Sequence, residues 1–260
     1  MLPSYLQIYM GLSEETRRLL HTLSWLAHQP IPRFVLAQDD DEDLTTLRCL
    51  EELEKVGMAK WSEDKQTLQI DPLFQALPRY EYPPGETAPL SLMEALHLIN
   101  DKTPGAPGDV RNWPTWEKLA PHVAAVTDSG EAHHITEPTC RLLNKLGLYE
   151  AARGEWASAE SRYRRALRMA EEGEQPDTRG LSPVLNNLAV LLQDTNRLEE
   201  AEPLMRRALV IDEGTYGPDH PDVAVDLNNL AQLLQTTNRL EEAEPLMRRA
   251  LEIDEASYGP

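Results

Sequence analysis

Three asparagines, Asn144, Asn186 and Asn228, stand 42 residues apart, and each is followed by a second polar residue, Lys145, Asn187 or Asn229. Further amides, Gln193, Gln232 and Gln235, come one to two helical turns later. A side-chain amide both donates and accepts, so a row of amides can hold the extended backbone of a bound polypeptide without demanding a sequence. The same spacing also suits a second use, in which one Asn of each pair bonds a neighbouring helix and sets the repeat distance; both readings remain open at this level. Other constellations carry less. His133, His134, Glu137 and Cys140 can be drawn as a metal site, but adjacent histidines at a helix start are expected to be solvent-exposed, and no metal is expected. No Ser, His and Asp set forms a recognisable triad, and no Gly-x-x-x-x-Gly-Lys-Ser/Thr phosphate loop occurs. The chain is therefore expected to catalyse nothing and to hold no cofactor.

The elements that must position these amides repeat with the same period. NRLEEAEPLMRRAL begins at Asn196 and again at Asn238, and residues 196–218 and 238–260 agree at 20 of 23 positions. Leu143, Asn144, Leu146, Gly147, Ala159, Ala166 and Leu167 fall on Leu185, Asn186, Leu188, Ala189, Ala201, Ala208 and Leu209, so a first, diverged copy precedes these two. Leu185, Leu188, Ala189 and Leu192 make one apolar stripe at helical spacing; Leu198, Ala201, Met205, Ala208 and Leu209 make a second beyond the turn Asp194-Thr195-Asn196. Each copy therefore reads as a helical hairpin. Gly217-Pro218 is placed to end one hairpin, and Pro221 to begin the next.

These motifs, LNNLA, then NRLEEAEPLMRRAL followed by an IDE, then YGPDHPDVA, resemble tetratricopeptide repeats of the 42-residue kinesin light chain type. The resemblance covers roughly Thr136 to Pro260, with repeats at about 136–176, 178–218 and 220–260. It implies an α-solenoid whose first helices line a groove for a peptide or protein segment, placing Asn144, Asn186, Asn187, Gln193, Asn228, Asn229, Gln232 and Gln235 as groove candidates. The chain stops at ASYGP, within the connector that would lead to another repeat, so the array is expected to be truncated at its C-terminus. The Arg206-Arg207 and Arg248-Arg249 pairs invite an acidic ligand; Glu202 with Arg206 and Glu244 with Arg248, at i,i+4, instead predict a solvated outer face.

The first eighty residues read differently. Ser13 caps SEETRRLLHTLSWLAH, with Leu19, Leu20, Leu23, Leu26 and Ala27 as its stripe. DDDEDLTTLRCLEELEKVG predicts a helix with Leu44, Leu47, Leu50 and Leu53 facing inward, and MAKWSE and TLQI predict two strands. Helices followed by a hairpin predict a winged helix over 1–82. A proline-rich elbow with bracketing helices follows over 83–131, then the repeats over 132–260; Trp113 and Trp116 are expected to pack the elbow rather than let it hinge. From Asp39 to Lys55 eight acidic residues face Arg48 and Lys55, a net charge of −6 that disfavours a major groove.

LSEETRRLLHTLSWLAHQPIPRFVL, LEELEKVGMAKWSE and IDPLFQALPRY resemble the winged-helix segment of NB-ARC proteins of the bacterial signal-transduction ATPase class called STAND, and WPTWEKLAPHVAAV resembles the connector before their repeats. The resemblance implies a parent protein with an ATP- or ADP-binding core as a partner, the winged helix relaying and the repeats sensing a peptide or protein trigger. Where that family commonly has a nucleotide-contacting histidine this chain has Asp71. A transcriptional regulator or a plain assembly scaffold are the alternative readings. The net charge of −19 argues against nucleic acid, and no apolar run approaches the ~18 residues of a membrane span. A cytoplasmic protein without membrane contact is expected.

Overall fold

The computed structural model describes residues 4–36, 44–81, 88–172 and 178–259. It is mainly helical and divides into two compact units, Met1–Leu142 and Leu143–Pro260.

In the first unit, α1 (Ser4–Met10) and α2 (Glu14–Ser24) come first. Ser13 caps α2 by accepting from the Thr16 backbone, with Glu14 and Glu15 in the first turn where the helix dipole favours acids. A two-residue strand β1 (Ile31–Pro32) leads into α3 (Arg33–Leu36), and α4 (Leu44–Lys55) precedes β2 (Ala59–Trp61), β3 (Thr67–Ile70) and α5 (Pro72–Glu81). The strands form an antiparallel sheet in the order β1-β3-β2, with Ile31 opposite Leu68 and Ala59 opposite Ile70. Lys65 turns the hairpin at positive φ. Leu20, Leu23, Leu26, Ile31, Leu53, Met58, Leu68 and Ile70 bury the sheet against the helices.

One expectation changes here. Leu50 and Leu53 of α4 are buried, but Leu44, at the first position of the helix, is 65% exposed. Asp39–Asp43, which dominate the acidic count of this segment, lie outside the described residues. Asp71 serves the fold directly, because its carboxylate accepts from the Leu73 backbone at 2.9 Å and so caps α5.

Helices α6 (Leu90–Lys102) and α7 (Trp113–Ala132) complete this unit. α6 lies on α2, where Ser91 accepts from the Trp25 indole at 3.0 Å and Glu94 accepts from Thr22 at 2.8 Å. Trp116 of α7 is fully buried. His134 is exposed, but His133 is buried, its ring on the Ser129 carbonyl at 2.9 Å and edge-on to Trp25. These contacts hold His133 inward, so the expected exposure of both histidines holds for His134 alone.

The second unit is a run of helical hairpins: α8 (Thr139–Ala152) with α9 (Trp156–Glu172), α10 (Thr178–Asp194) with α11 (Leu198–Tyr216), and α12 (Pro221–Thr236) with α13 (Leu240–Tyr258). Asn196 and Asn238 make the hairpin turns at φ 60, a left-handed conformation that asparagine tolerates well. Gly217, at φ 93, ends α11, and Pro221 starts α12 behind the cap of His220, whose ring accepts from the Asp222 backbone. Small residues let the helices approach. A Cβ on Gly147 would stand 2.6 Å from the Tyr163 ring, so that pairing requires glycine. One period later the same positions hold Ala189 and Met205, a larger residue against a slimmer one. Outside, Arg206 and Arg248 pair with Glu202 and Glu244 at 2.8 Å. Arg207 and Arg249 do more: they reach back one hairpin, to Glu171 and to Glu213.

Candidate functional site

The polar residues of α10 and α12 come together around one cavity. Helix α10 packs on α11, on α9 and on α12, so a face of α10 left uncovered by its own hairpin meets the first helix of the next. Between them lies a cavity of about 260 Å³ lined by Ser182, Asn186 and Asn187 of α10, Asp212 and Tyr216 of α11, and Asp222, Asp226 and Asn229 of α12, with Pro183 and Val225 beside them. Its rim is exposed, at Pro183, Tyr216, Asp222 and Val225. Its floor is not: Ser182 is fully buried, and Asp212 and Asp226 are 4% and 1% exposed.

The floor is an incomplete network. Ser182 donates to Asp212 Oδ2 at 2.7 Å, and the Asn186 amide donates to Asp226 Oδ1. Among the described residues no donor reaches the buried Asn186 Oδ1, Asp212 Oδ1 and Asp226 Oδ2 when both carboxyls are ionised; Asp212 and Asp226 bond each other only when one holds a proton. Buried polar atoms are nearly always paired, so three orphans in one cavity are unusual. Burial pushes the Asp212 carboxyl above the usual carboxylate range. It pushes Asp226 up to about 7, with the Asp212 and Asp222 charges adding to the effect and the Asn186 hydrogen bond opposing it.

The amides singled out in the sequence fall into three groups. Asn186, Asn187 and Asn229 line the cavity. Asn144 is half-buried and accepts from Asn187 at 2.8 Å, one hairpin away. Gln193, Asn228, Gln232 and Gln235 stand away from the cavity; Gln193 is half-buried, the others are exposed, and Gln235 donates to Met247 Sδ at 2.9 Å. Sequence reasoning missed Ser182, Asp212 and Asp226. A signal was present for Asp226, because one period earlier it corresponds to the buried Val184; Asp212 gives none, since it recurs one period later as Asp254 although its earlier counterpart is the buried Ala170. A carboxylate at a place the repeat fills with an aliphatic side chain is a departure that periodicity can detect.

Among the described residues no group of three or more His, Cys, Asp or Glu side chains is arranged to hold a metal ion, and no helix is long and apolar enough to cross a membrane.

The chain is similar to solved structures over most of its length, and to family models over its repeats. No curated protein matches the chain. Among solved structures, a Podosopora anserina putative kinesin light chain with nearly identical TPR-like repeats is similar at a TM-score of 0.50 and 14% identity, over 96% of this chain and 100% of that one. BtubC (BKLC) from P. vanneervenii aligns at a TM-score of 0.43 and 23% identity over 67% of this chain; this chain spans 60% of that protein's length. A STAND protein with a tetratricopeptide repeat sensor from Pyrococcus horikoshii aligns at a TM-score of 0.36 and 12% identity, over 96% of this chain and 52% of that one. Residues 139–177 and 180–256 match tetratricopeptide repeat models, and the hairpins α8 to α13 are accordingly tetratricopeptide repeats, a fold that binds peptides and proteins.

Proposed function

We propose that this chain is the non-catalytic sensor and relay portion of a signal-transduction ATPase, in which the repeats bind a peptide or protein trigger. The observation that carries the binding role is the cavity between α10 and α12, where Asn187 and Asn229 stand at the edge of an underpaired polar floor. Amides at such an edge supply paired donors and acceptors to a passing backbone. We assign residues 1–82 to a winged helix, 83–131 to an elbow and 132–260 to the repeats. The order of α2, α4 and the β2–β3 hairpin, with β1 completing the sheet, supports the winged helix. The winged helix relays the bound state to a nucleotide-binding core that this chain does not itself supply. For binding to act as a signal, the trigger must prefer one arrangement of the parent over another, since equal affinity for both shifts nothing.

The test is selection of a random nonapeptide display library on the full chain, followed by Asn187→Ala with Asn229→Ala. Recovery of peptides whose affinity drops at least tenfold in the double variant, with an unchanged circular dichroism spectrum, supports the reading. Peptides that bind both proteins equally, or no recovered peptide, overturn it.

A further inference from the structure

We propose that the cavity floored by Asp212 and Asp226 receives the cationic side chain, arginine or lysine, of the polypeptide held by the repeats. The proposal rests on the peptide-binding reading above and gives it a chemical specificity. Two carboxylates from different helices, α11 and α12, converge on one space, and among the described residues no cation is hydrogen-bonded or ion-paired to either. With both carboxyls ionised, Asp212 Oδ1, Asp226 Oδ2 and Asn186 Oδ1 are buried acceptors that no donor among the described residues reaches; the two carboxyls can bond each other only while one of them holds a proton. A guanidinium presents several coplanar N–H donors and an ammonium presents three, so either can complete the set. The neutral amide of a glutamine or asparagine brings two donors and no charge.

The fold does not require acids here. One period earlier the corresponding places hold Ala170 and Val184, buried within the same kind of helical packing. A buried carboxylate without a counter-ion costs the fold free energy, and here two stand together. The cavity opens to solvent at a rim where Pro183, Asp222 and Val225 are exposed. Tyr216 also lines the rim, stacked on His220 at 4.6 Å between ring centroids, and offers an aromatic face beside the mouth.

In the absence of a cation a proton takes its place. Protonated, Asp226 can donate toward Asp212 and the pair closes on itself; ionised, the pair carries two negative charges. Among the described residues the groups around it are Asp212 and Tyr216 on α11, Asp222 on α12 and His220 before α12, while α10 lines the cavity with the neutral Ser182, Asn186 and Asn187. A bound cation therefore displaces a proton, and its affinity rises with pH.

The test uses the full chain and three small probes: N-acetyl-arginine methylamide, N-acetyl-lysine methylamide, and the uncharged isostere N-acetyl-citrulline methylamide. Carboxyl 13C shifts of the aspartates are followed during each titration at pH 6 and pH 8. Saturable shifts at Asp212 and Asp226 with a cationic probe, at least tenfold weaker with citrulline and weaker at pH 6, support the proposal; the stronger of the two cations identifies the side chain. Asp226→Asn, which keeps the shape and removes the charge, is expected to lower that affinity at least tenfold while its amide spectrum stays folded. Equal response to citrulline, no response at either aspartate, or undiminished binding in Asp226→Asn overturns it. The library selection judges the underlying reading separately. Peptides that depend on Asn187 and Asn229 but show no preference for arginine or lysine leave the groove in place and remove the cation pocket.

Discussion

The junction between the first and second hairpins and the junction between the second and third are built on one plan and filled with opposite chemistry. At the first, Ala170 and Val184 are buried, and Asn187 donates to Asn144, so that the Asn144 acceptor has its donor. At the second, the corresponding side chains are Asp212 and Asp226, and Asn186 Oδ1, the counterpart of the Asn144 acceptor, has no donor. The comparison separates what the solenoid needs from what it carries. Apolar filling and a closed amide pair suffice to stack hairpins, so an open acidic floor at the next junction is an addition to the architecture.

The largest expected effect comes from forcing the first junction to resemble the second. Val184→Asp places a carboxyl in the closed junction and is expected to cost about 3–5 kcal/mol, the range for an uncompensated buried charge, read from urea unfolding of the full chain. A cost below 1 kcal/mol would mean that both junctions tolerate acids alike. The second effect is on pH. The Asp226 carboxyl titrates at 3.8 in an unfolded chain and at about 7 here, so the folded state holds its proton more tightly. Its contribution to stability is full below about pH 4 and is lost as pH rises to about 7, a fall of about 1–4 kcal/mol. The Glu160 and Glu202 carboxyls, held low by Arg164 with Arg197 and by Arg206 with Arg239 despite partial burial, act in the opposite sense near pH 4. The prediction is therefore read as the difference between the natural chain and Asp226→Asn, which should vanish near pH 4 and widen by pH 8.

A third change tests whether the hairpins are interchangeable in their small-residue contacts. Gly147→Ala collides with Tyr163 and is expected to cost about 1–3 kcal/mol. Adding Tyr163→Met recreates the pairing of Ala189 with Met205 and should recover part of that loss, as a double-mutant cycle would register. The smallest effect belongs to the outer ion pairs. Arg207→Ala removes the link to Glu171 between well-exposed side chains, and is expected to change stability by less than about 1 kcal/mol, and by less still in high salt.

The hairpins were legible in the sequence because leucine and alanine recur at helical spacing inside a 42-residue period, and the chain turns at residues that tolerate a left-handed backbone, Asn196 and Asn238 within hairpins and Gly217 between them. Periodicity also located Asn186, Asn187 and Asn229, since identical amides stand out when a sequence is laid over itself. It passed over Asp226 for the same reason, because attention to what repeats hides what departs from the repeat. Ser182 and Asp212 meet Asp226 through packing between hairpins, which no single helix pattern encodes. The reach of Arg207 and Arg249 to the preceding hairpin was likewise hidden by their neighbours' i,i+4 pairs. In the first unit Leu44 shows that an apolar residue at stripe spacing on the first position of a helix is not thereby core. His133 shows that a polar residue at a helix end can be folded inward.

The most direct measurement is chemical-shift mapping on the full chain with the tightest-binding peptide recovered from the random library. Shifts concentrated at Ser182, Asn186, Asn187, Asp212, Asp226 and Asn229 are the expected result and place the ligand at the open junction. Shifts confined to the outer surfaces of α11 and α13, around Arg206 and Arg248, would contradict it and leave the acidic floor without a ligand.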